Sequence, residues 1–261
     1  MKIATWNVNS LNVRLPQVLD WLGQARPDVL AVQETKLTDD RFPFEALREA
    51  GYAAVAHGQK TYNGVALLAR ETPQDVITGL SDGQARMIAA SVGDLRIVNV
   101  YVVNGQAVGS DKFDYKMGWL DELHGLLKDE LARHDKLVLL GDFNIAPTPA
   151  DTHDPASWEG QILCSDAERA KLQALLDLGL TDPWPRFEHG PADAADNKDR
   201  FTWWDYRAAG FRRNLGLRID HTLVSAALLP ACSDCRVDLE PRRWERPSDH
   251  APVVLSLSVA G

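Results

Sequence analysis

The sequence predicts an α/β fold in which two stacked β-sheets are covered on the outside by helices. Three observations carry that expectation. Short strand-like runs bounded by turn formers recur along the whole chain. Some are apolar throughout, which suits burial on both faces, while others alternate with polar residues. Between them stand a few stretches of helical period, whose apolar stripe needs a sheet to cover. No linker or low-complexity break interrupts the alternation, so the 261 residues are expected to form a single domain, 1–261.

Residues 2–8 are β-prone and alternate, giving a first strand. A helix follows with apolar positions Leu15, Val18, Leu19 and Leu22, and Gly23 and Pro27 are expected to end it. Residues 28–34 read as an apolar strand tipped by the Glu34 carboxylate. A short helix over 43–50 leads into strands over 52–57 and 64–69, joined by a polar loop. Further strands are expected over 75–78, 87–92 and 95–103. The longest helix should cover 111–133, with Phe113, Met117, Leu120, Leu123, Leu127 and Leu131 as its core stripe.

Next comes Leu137-Val138-Leu139-Leu140, an apolar run that ends in Gly141-Asp142-Phe143-Asn144 and then Pro147 and Pro149. It fits a strand buried on both faces that runs out into a loop. If the extended geometry persists, Asp142 and Asn144 point to the same side at its mouth. The same residues commonly do no more than start a turn, so this stretch alone leaves both readings open. Residues 147–161 are rich in Pro, Asp and Thr and form a loop long enough to be functional. Ser165 or Asp166 caps a helix reaching Asp177, and strands are expected over 201–204, 218–224, 236–239 and 251–259.

The N-terminus turns polar too soon for a signal peptide and no long apolar run occurs, so a cytoplasmic protein without membrane contact is expected. The odd number of cysteines argues against a disulfide framework, and the Cys232/Cys235 spacing of half a zinc site has no second pair to match. A net charge of −9 argues against non-specific coating of nucleic acid. From Lys198 to Arg218, however, six basic residues stand against two acids, interleaved with Phe201, Trp203, Trp204, Tyr206 and Phe211. That mixture suits a phosphate backbone and an unstacked base or sugar, and equally a solvated basic face over buried tryptophans.

Strand ends from both halves converging on one rim would bring together Asn7, Glu34, Asp142, Asn144, Asp220 and the Asp249-His250 pair. So oxygen-rich a set suits Mg²⁺ or Mn²⁺ better than zinc. Such cations bind phosphate oxygens, and a His held by an Asp beside one suits phosphate-ester hydrolysis.

The ordered motifs Trp6-Asn7-Val8-Asn9, Leu30-Ala31-Val32-Gln33-Glu34-Thr35-Lys36, Gly64-Val65-Ala66-Leu67-Leu68, Gly141-Asp142-Phe143-Asn144, Phe201-Thr202-Trp203-Trp204-Asp205-Tyr206, Gly216-Leu217-Arg218-Ile219-Asp220 and Ser248-Asp249-His250-Ala251-Pro252 resemble those of the exonuclease III family of abasic-site endonucleases. The resemblance spans nearly the whole chain. It implies a DNase I-like four-layer α/β sandwich of the endonuclease/exonuclease/phosphatase superfamily, and a Mg²⁺-dependent hydrolase in which Mn²⁺ can substitute. The implied substrate is double-stranded DNA with abasic sites or blocked 3′ ends, cut 5′ to the abasic site, with 3′→5′ exonuclease, 3′-phosphatase and 3′-phosphodiesterase activity, by a monomer.

Carried over by position, Asn7 and Glu34 are implied to hold the metal, with Asp249 nearby, directly or through water. Asp142 is implied to orient or deprotonate the attacking water, with Asn144 as its companion. His250, paired with Asp220, is implied to contact the scissile phosphate, and Tyr101 to lie near the phosphate or leaving group. A second metal near Asp142, Asn144 and His250 is a standing alternative. Trp203, Leu217 and Ile219 match pocket-wall positions, with Trp204 behind or beside them. Arg86, Asn104 and Lys60 are weaker candidates for backbone contacts, and Arg86 and Lys60 equally suit a solvated surface.

The chain departs from the family pattern at Val102-Val103-Asn104-Gly105, where the bacterial prototype has a Phe-Pro-Gln-Gly type sequence, and in the loop 147–164, which carries His153, Trp158 and Leu163. A bulky Leu163 is expected to hinder an internal abasic site and leave a 3′ terminus accessible, so an enzyme acting mainly on 3′ ends is the alternative. A phosphoinositide or sphingolipid phosphatase is disfavoured by the aromatic-basic segment. A binding module without catalysis is disfavoured because Glu34, Asp142, Asn144, Asp220 and His250 are all present.

Overall fold

The wholly apolar runs form the centres of two six-stranded mixed sheets. The computed structural model describes residues 1–187 and 198–258. In chain order the strands and helices are β1 (Lys2–Asn7), α1 (Leu11–Ala25), β2 (Val29–Gln33), α2 (Phe44–Glu49), β3 (Ala53–His57), β4 (Val65–Ala69), β5 (Gln74–Thr78), β6 (Met87–Val92), β7 (Leu95–Tyr101), α3 (Asp111–Arg133), β8 (Leu137–Asp142), α4 (Pro155–Trp158), α5 (Asp166–Leu176), β9 (Leu180–Thr181), β10 (Trp203–Trp204), β11 (Gly216–Leu217), β12 (Asp220–Ser225), β13 (Cys232–Val237) and β14 (Val253–Leu257). The first sheet runs β13-β14-β1-β2-β4-β3 and the second β5-β6-β7-β8-β12-β9. Strands β10 and β11 pair as a small separate ribbon.

Period-two burial sorts the side chains into layers. Ile3, Val29, Ala31 and Leu67 of the first sheet meet Ile88, Ile97, Val138 and Leu140 of the second in the central core. The opposite face of the first sheet, including Ala4, Leu30, Val32 and Leu68, packs on Val18, Trp21 and Leu22 of α1 and Leu47 of α2. That of the second, including Val98, Val100, Leu137 and Leu139, packs on Leu120, Leu123 and Leu127 of α3 and Leu172 and Leu175 of α5. The result is the four-layer sandwich that the motifs imply.

Helix α3 begins where Ser110 Oγ accepts the Phe113 N–H, and α5 begins with a reciprocal Ser165/Glu168 capping box. Other boundaries depart from the sequence reading. Helix α1 runs through Gly23 to Ala25 and ends where Arg26 turns left-handed and bonds Leu22 O. A glycine in a helix costs only about 1 kcal/mol relative to alanine, less than the buried α1 stripe gains. The strand expected over 218–224 is broken instead: Thr202 Oγ1 accepts the backbone N–H groups of Ile219 and Asp220, a side chain standing where a neighbouring strand would. The end of the last expected strand, Val259, lies outside the described residues, as does the side chain of Lys198.

Strand direction then places the polar residues. Strands β1 and β2 are parallel and both end at one rim, where Asn7 pairs with Gln33. Strand β7 runs parallel to β8 with Tyr101 beside Asp142, and β12 runs antiparallel to β8 with Asp220 beside Asp142. Three polar side chains therefore stand in a row across the second sheet, facing the ends of β1 and β2.

Candidate active site

Both sheets contribute to one cleft of about 360 Å³, whose lining includes Glu34, Tyr101, Asn104, Asp142, Asn144, Asp249 and His250. Its other wall is Trp158, Ile162, Leu163, Trp203 and Ile219, with Asp205 and Arg207 beside them.

Asn7, fully buried at the end of β1, ties the sheets together at the floor. Its Nδ2 donates to Glu34 Oε1 and to Asp142 Oδ2, both at 2.9 Å. Glu34 Oε2 lies 3.1 Å from Lys36 Nζ, and Asp142 Oδ1 accepts the Asn144 N–H at 3.0 Å. On the far side of Asp142, His250 Nε2 stands 3.6 Å from Oδ2. The other ring nitrogen of His250, Nδ1, lies 2.8 Å from Asp220 Oδ2. Asp220, His250, Asp142, Asn7 and Glu34 thus form one continuous polar chain.

Its electrostatics follow from burial. Loss of solvent pushes the Asp142 carboxyl up, and Asp220 and Glu34 push it further, against the opposing pull of His250 and the Asn7 amide. Burial alone would lower His250, but Asp220 and Asp142 outweigh it and hold the imidazolium well above its ordinary range. Burial, with Glu34 and Asp142 adding to it, raises Tyr101 well above its ordinary value, so its phenol stays protonated.

Asn144 corrects one expectation: the extended geometry stops at Asp142, and Asn144 sits in the left-handed region at φ +49°, which Asn tolerates better than most residues. Its side chain still reaches the cleft, with Nδ2 on Val102 O at 3.0 Å and Oδ1 accepting from Asn104 Nδ2 at 3.2 Å. Asp249 lies half-buried, its oxygens accepting from Asn9 Nδ2 and Trp203 Nε1, both at 3.0 Å. Trp203 is therefore a wall residue with a polar tether, and Trp204 is the fully buried one behind it. Leu217 is fully buried in a cluster with Ala146, Leu163, Cys164 and Ile219 and supports the wall rather than facing the cleft. Arg86 stacks over the Tyr101 ring at 4.8 Å and lines the adjoining cleft with Asn104 and Lys112, and Lys60 is exposed. Sequence reasoning quoted Asn9 and Lys36 within motifs without giving them a role; their signal is short spacing to Asn7 and Glu34.

The donors fit a hard divalent cation. Glu34, Asp142 and Asp249 offer carboxylate oxygens on one cleft, each with lone pairs beyond the hydrogen bonds above. Asp142, Asp220 and His250 also bring ligand atoms within 4.8 Å of one another. Both ring nitrogens of His250 face carboxylates there, Nδ1 hydrogen-bonded to Asp220 at 2.8 Å and Nε2 standing 3.6 Å from Asp142, and the Asn144 amide is committed to Val102 and Asn104.

The model of the endonuclease/exonuclease/phosphatase family matches residues 4–250. This chain belongs to that family. It is 35% identical to exodeoxyribonuclease III of Haemophilus influenzae, over 97% of this chain and 98% of the relative, and is an exonuclease III-type hydrolase. Among solved structures, the 3′ phosphatase NExo from Neisseria bound to a product DNA hairpin is 54% identical with a TM-score of 0.94, covering 99% of this chain and 100% of that one. An AP endonuclease from Archaeoglobus fulgidus is 36% identical with a TM-score of 0.92 at the same coverage.

Proposed function

We propose that this chain is a divalent-cation-dependent DNA repair phosphodiesterase that hydrolyses phosphate esters at blocked 3′ ends and cuts the backbone 5′ to abasic sites. The observation that carries the reading is the unbroken chain Asp220–His250–Asp142–Asn7–Glu34 along the floor of a cleft walled by Trp203, Ile219 and Leu163. Glu34, with Asp249 and the oxygen of Asn7, would hold Mg²⁺ or Mn²⁺, which supplies positive charge to the phosphate oxygens. Asn7 fixes the separation of the Glu34 and Asp142 carboxylates. Asp142, whose carboxylate has a raised proton affinity, accepts a hydrogen bond from the attacking water and aims it at phosphorus. Protonated His250, held by Asp220, donates from Nε2 to a non-bridging oxygen. Tyr101 keeps its proton and donates to the departing oxygen. Trp203 and Ile219 admit a sugar turned out of the duplex.

Duplexes carrying an internal abasic site, a nicked 3′-phosphate or a recessed 3′ end are the assay, with Mg²⁺, Mn²⁺ or chelator. Hydrolysis requiring the cation is expected, and Asp142→Asn or His250→Asn should cost roughly 10²–10⁴ in kcat. A folded Asp142→Asn protein with undiminished turnover would remove that residue from its role. A wild type inert on every substrate would favour a DNA-binding module.

A second reading, action mainly on 3′ ends, is favoured by Leu163, which holds φ +72° and lines the cleft as a bulky side chain together with Ile162 and Trp158. Leu163→Gly, which fits that backbone without strain, is expected to raise cleavage at internal abasic sites relative to 3′-phosphate about tenfold, equivalent to ~1.4 kcal/mol of barrier. An unchanged ratio would assign the selectivity elsewhere.

A further inference from the structure

Beneath the cleft lies a buried ion pair that the reading above does not use. Lys116 on α3 and Glu168 on α5 are fully buried and meet at 2.5 Å. The ammonium has three protons and three acceptors: Glu168 Oε1, the Asn144 carbonyl at 2.7 Å and the Asn104 carbonyl at 3.1 Å. Glu168 accepts in turn from the Leu163 N–H at 3.0 Å, the Ser165 N–H at 3.1 Å and Ser165 Oγ at 2.7 Å. One pair therefore gathers three separate backbone segments, each carrying a residue that lines the cleft, Asn104, Asn144 and Leu163.

Two of the three, Asn144 and Leu163, hold left-handed backbone, which persists in a non-glycine residue only where the surroundings over-determine it. The Lys116 stem passes over Gly105, where an added Cβ would stand 3.0 Å from Lys116 Cδ. Stability alone accounts poorly for such an arrangement. A buried ion pair about breaks even against a well-packed apolar pair, and Leu120, Leu123, Leu172 and Leu175 already pack α3 and α5 into one core.

We propose that Lys116 and Glu168 are positioning residues of the cleft. The pair sets the spacing between Asn144, beside the Asp142 carboxylate, and Leu163 in the opposite wall. Through that spacing it sets turnover and the choice between a 3′-terminal phosphate ester and an internal abasic nucleotide. The inference rests on the reading of this cleft as a phosphate-ester site.

The test compares wild type with Lys116→Met/Glu168→Leu, which removes both charges together and leaves no lone buried ion, and with Lys116→Arg. The double variant is expected to fold, with kcat on the nicked 3′-phosphate duplex down about tenfold, KM within about threefold, and the abasic to 3′-phosphate ratio shifted at least about threefold. Lys116→Arg is expected not to restore wild-type kcat, because a planar guanidinium cannot reach the same three acceptors. A change confined to Tm, with kcat per folded molecule and the ratio unchanged, overturns the proposal. Amide hydrogen exchange supplies a readout independent of turnover. The Asn144 and Ala146 amides, which bond Asp142 Oδ1 and Leu163 O rather than the pair itself, should exchange faster in the double variant while the interior of β8 does not. If wild type hydrolyses neither substrate, the reading of the cleft fails, and unchanged exchange at those amides then overturns the positioning role by itself.

Discussion

His250 is the residue in which charge, burial and stability meet most directly. Its imidazole is 3% exposed yet is held up to about 10 from an ordinary 6.5, because Asp220 and Asp142 outweigh the cost of burial. A folded-state pKa raised in this way contributes stability that is fully present below pH 6.5 and lost as pH rises through about 10. In chelator, the urea midpoint of wild type relative to His250→Gln is therefore expected to fall across that window. A flat difference would mean that the ring is neutral in the folded protein. That Asp142, Asn144, Asp220 and His250 could meet was legible in the sequence because each stands at the end of a strand-like run: Asp142 and Asn144 follow the apolar run of β8, Asp220 closes Arg218-Ile219-Asp220, and His250 precedes the last strand. Their geometry was less so: the left-handed turn at Asn144 depends on a side-chain acceptor, Asp142 Oδ1, bonding its own N–H, and no periodicity reports that.

At the scale of elements, the long uniform runs were readable and most of the shortest paired ones were not. Helix α3 and strand β8 lie close to where period and capping place them. The two-residue strands β9 and β11 depend on partners distant in sequence and leave no local pattern, whereas β10 falls inside the strand expected over 201–204. Gly141 shows how closely neighbouring elements meet. At φ +145° on β8, an added Cβ would stand 1.9 Å from Val100 O of the adjacent β7. The parallel register that sets Tyr101 beside Asp142 therefore requires glycine here. Gly141→Ala is expected to destabilise the protein by at least about 2 kcal/mol through overpacking, read as a lowered urea midpoint with unchanged slope. Turnover should fall more than the folded fraction does, since relief comes only by moving β7 from β8.

The whole molecule poses a different problem, because the cleft is divided between two sheets whose common core is apolar and non-directional. Asn7 and Glu34 belong to one sheet, Tyr101, Asp142 and Asp220 to the other, so a slide of one sheet over the other would separate the carboxylates without exposing much apolar surface. Asn99, fully buried in β7, opposes that slide. Its Nδ2 donates across the interface to Val32 O at 3.0 Å and Ala66 O at 2.9 Å. Its Oδ1 accepts from Gln33 Nε2 at 2.8 Å, which also reaches Thr5 Oγ1 at 2.8 Å. Gln33 immediately precedes Glu34, so the clasp lies one residue from the proposed cation ligand. Asn99→Leu keeps the branching, adds volume and removes three buried hydrogen bonds, for an expected loss of at least about 2–3 kcal/mol. If the clasp aligns the sheets, kcat measured well below Tm on a 3′-phosphate duplex should fall several-fold while Asn7, Glu34 and Asp142 remain intact. Lost stability with undiminished kcat would instead mean that apolar packing and the Asn7 bridge alone hold the two halves of the cleft in register.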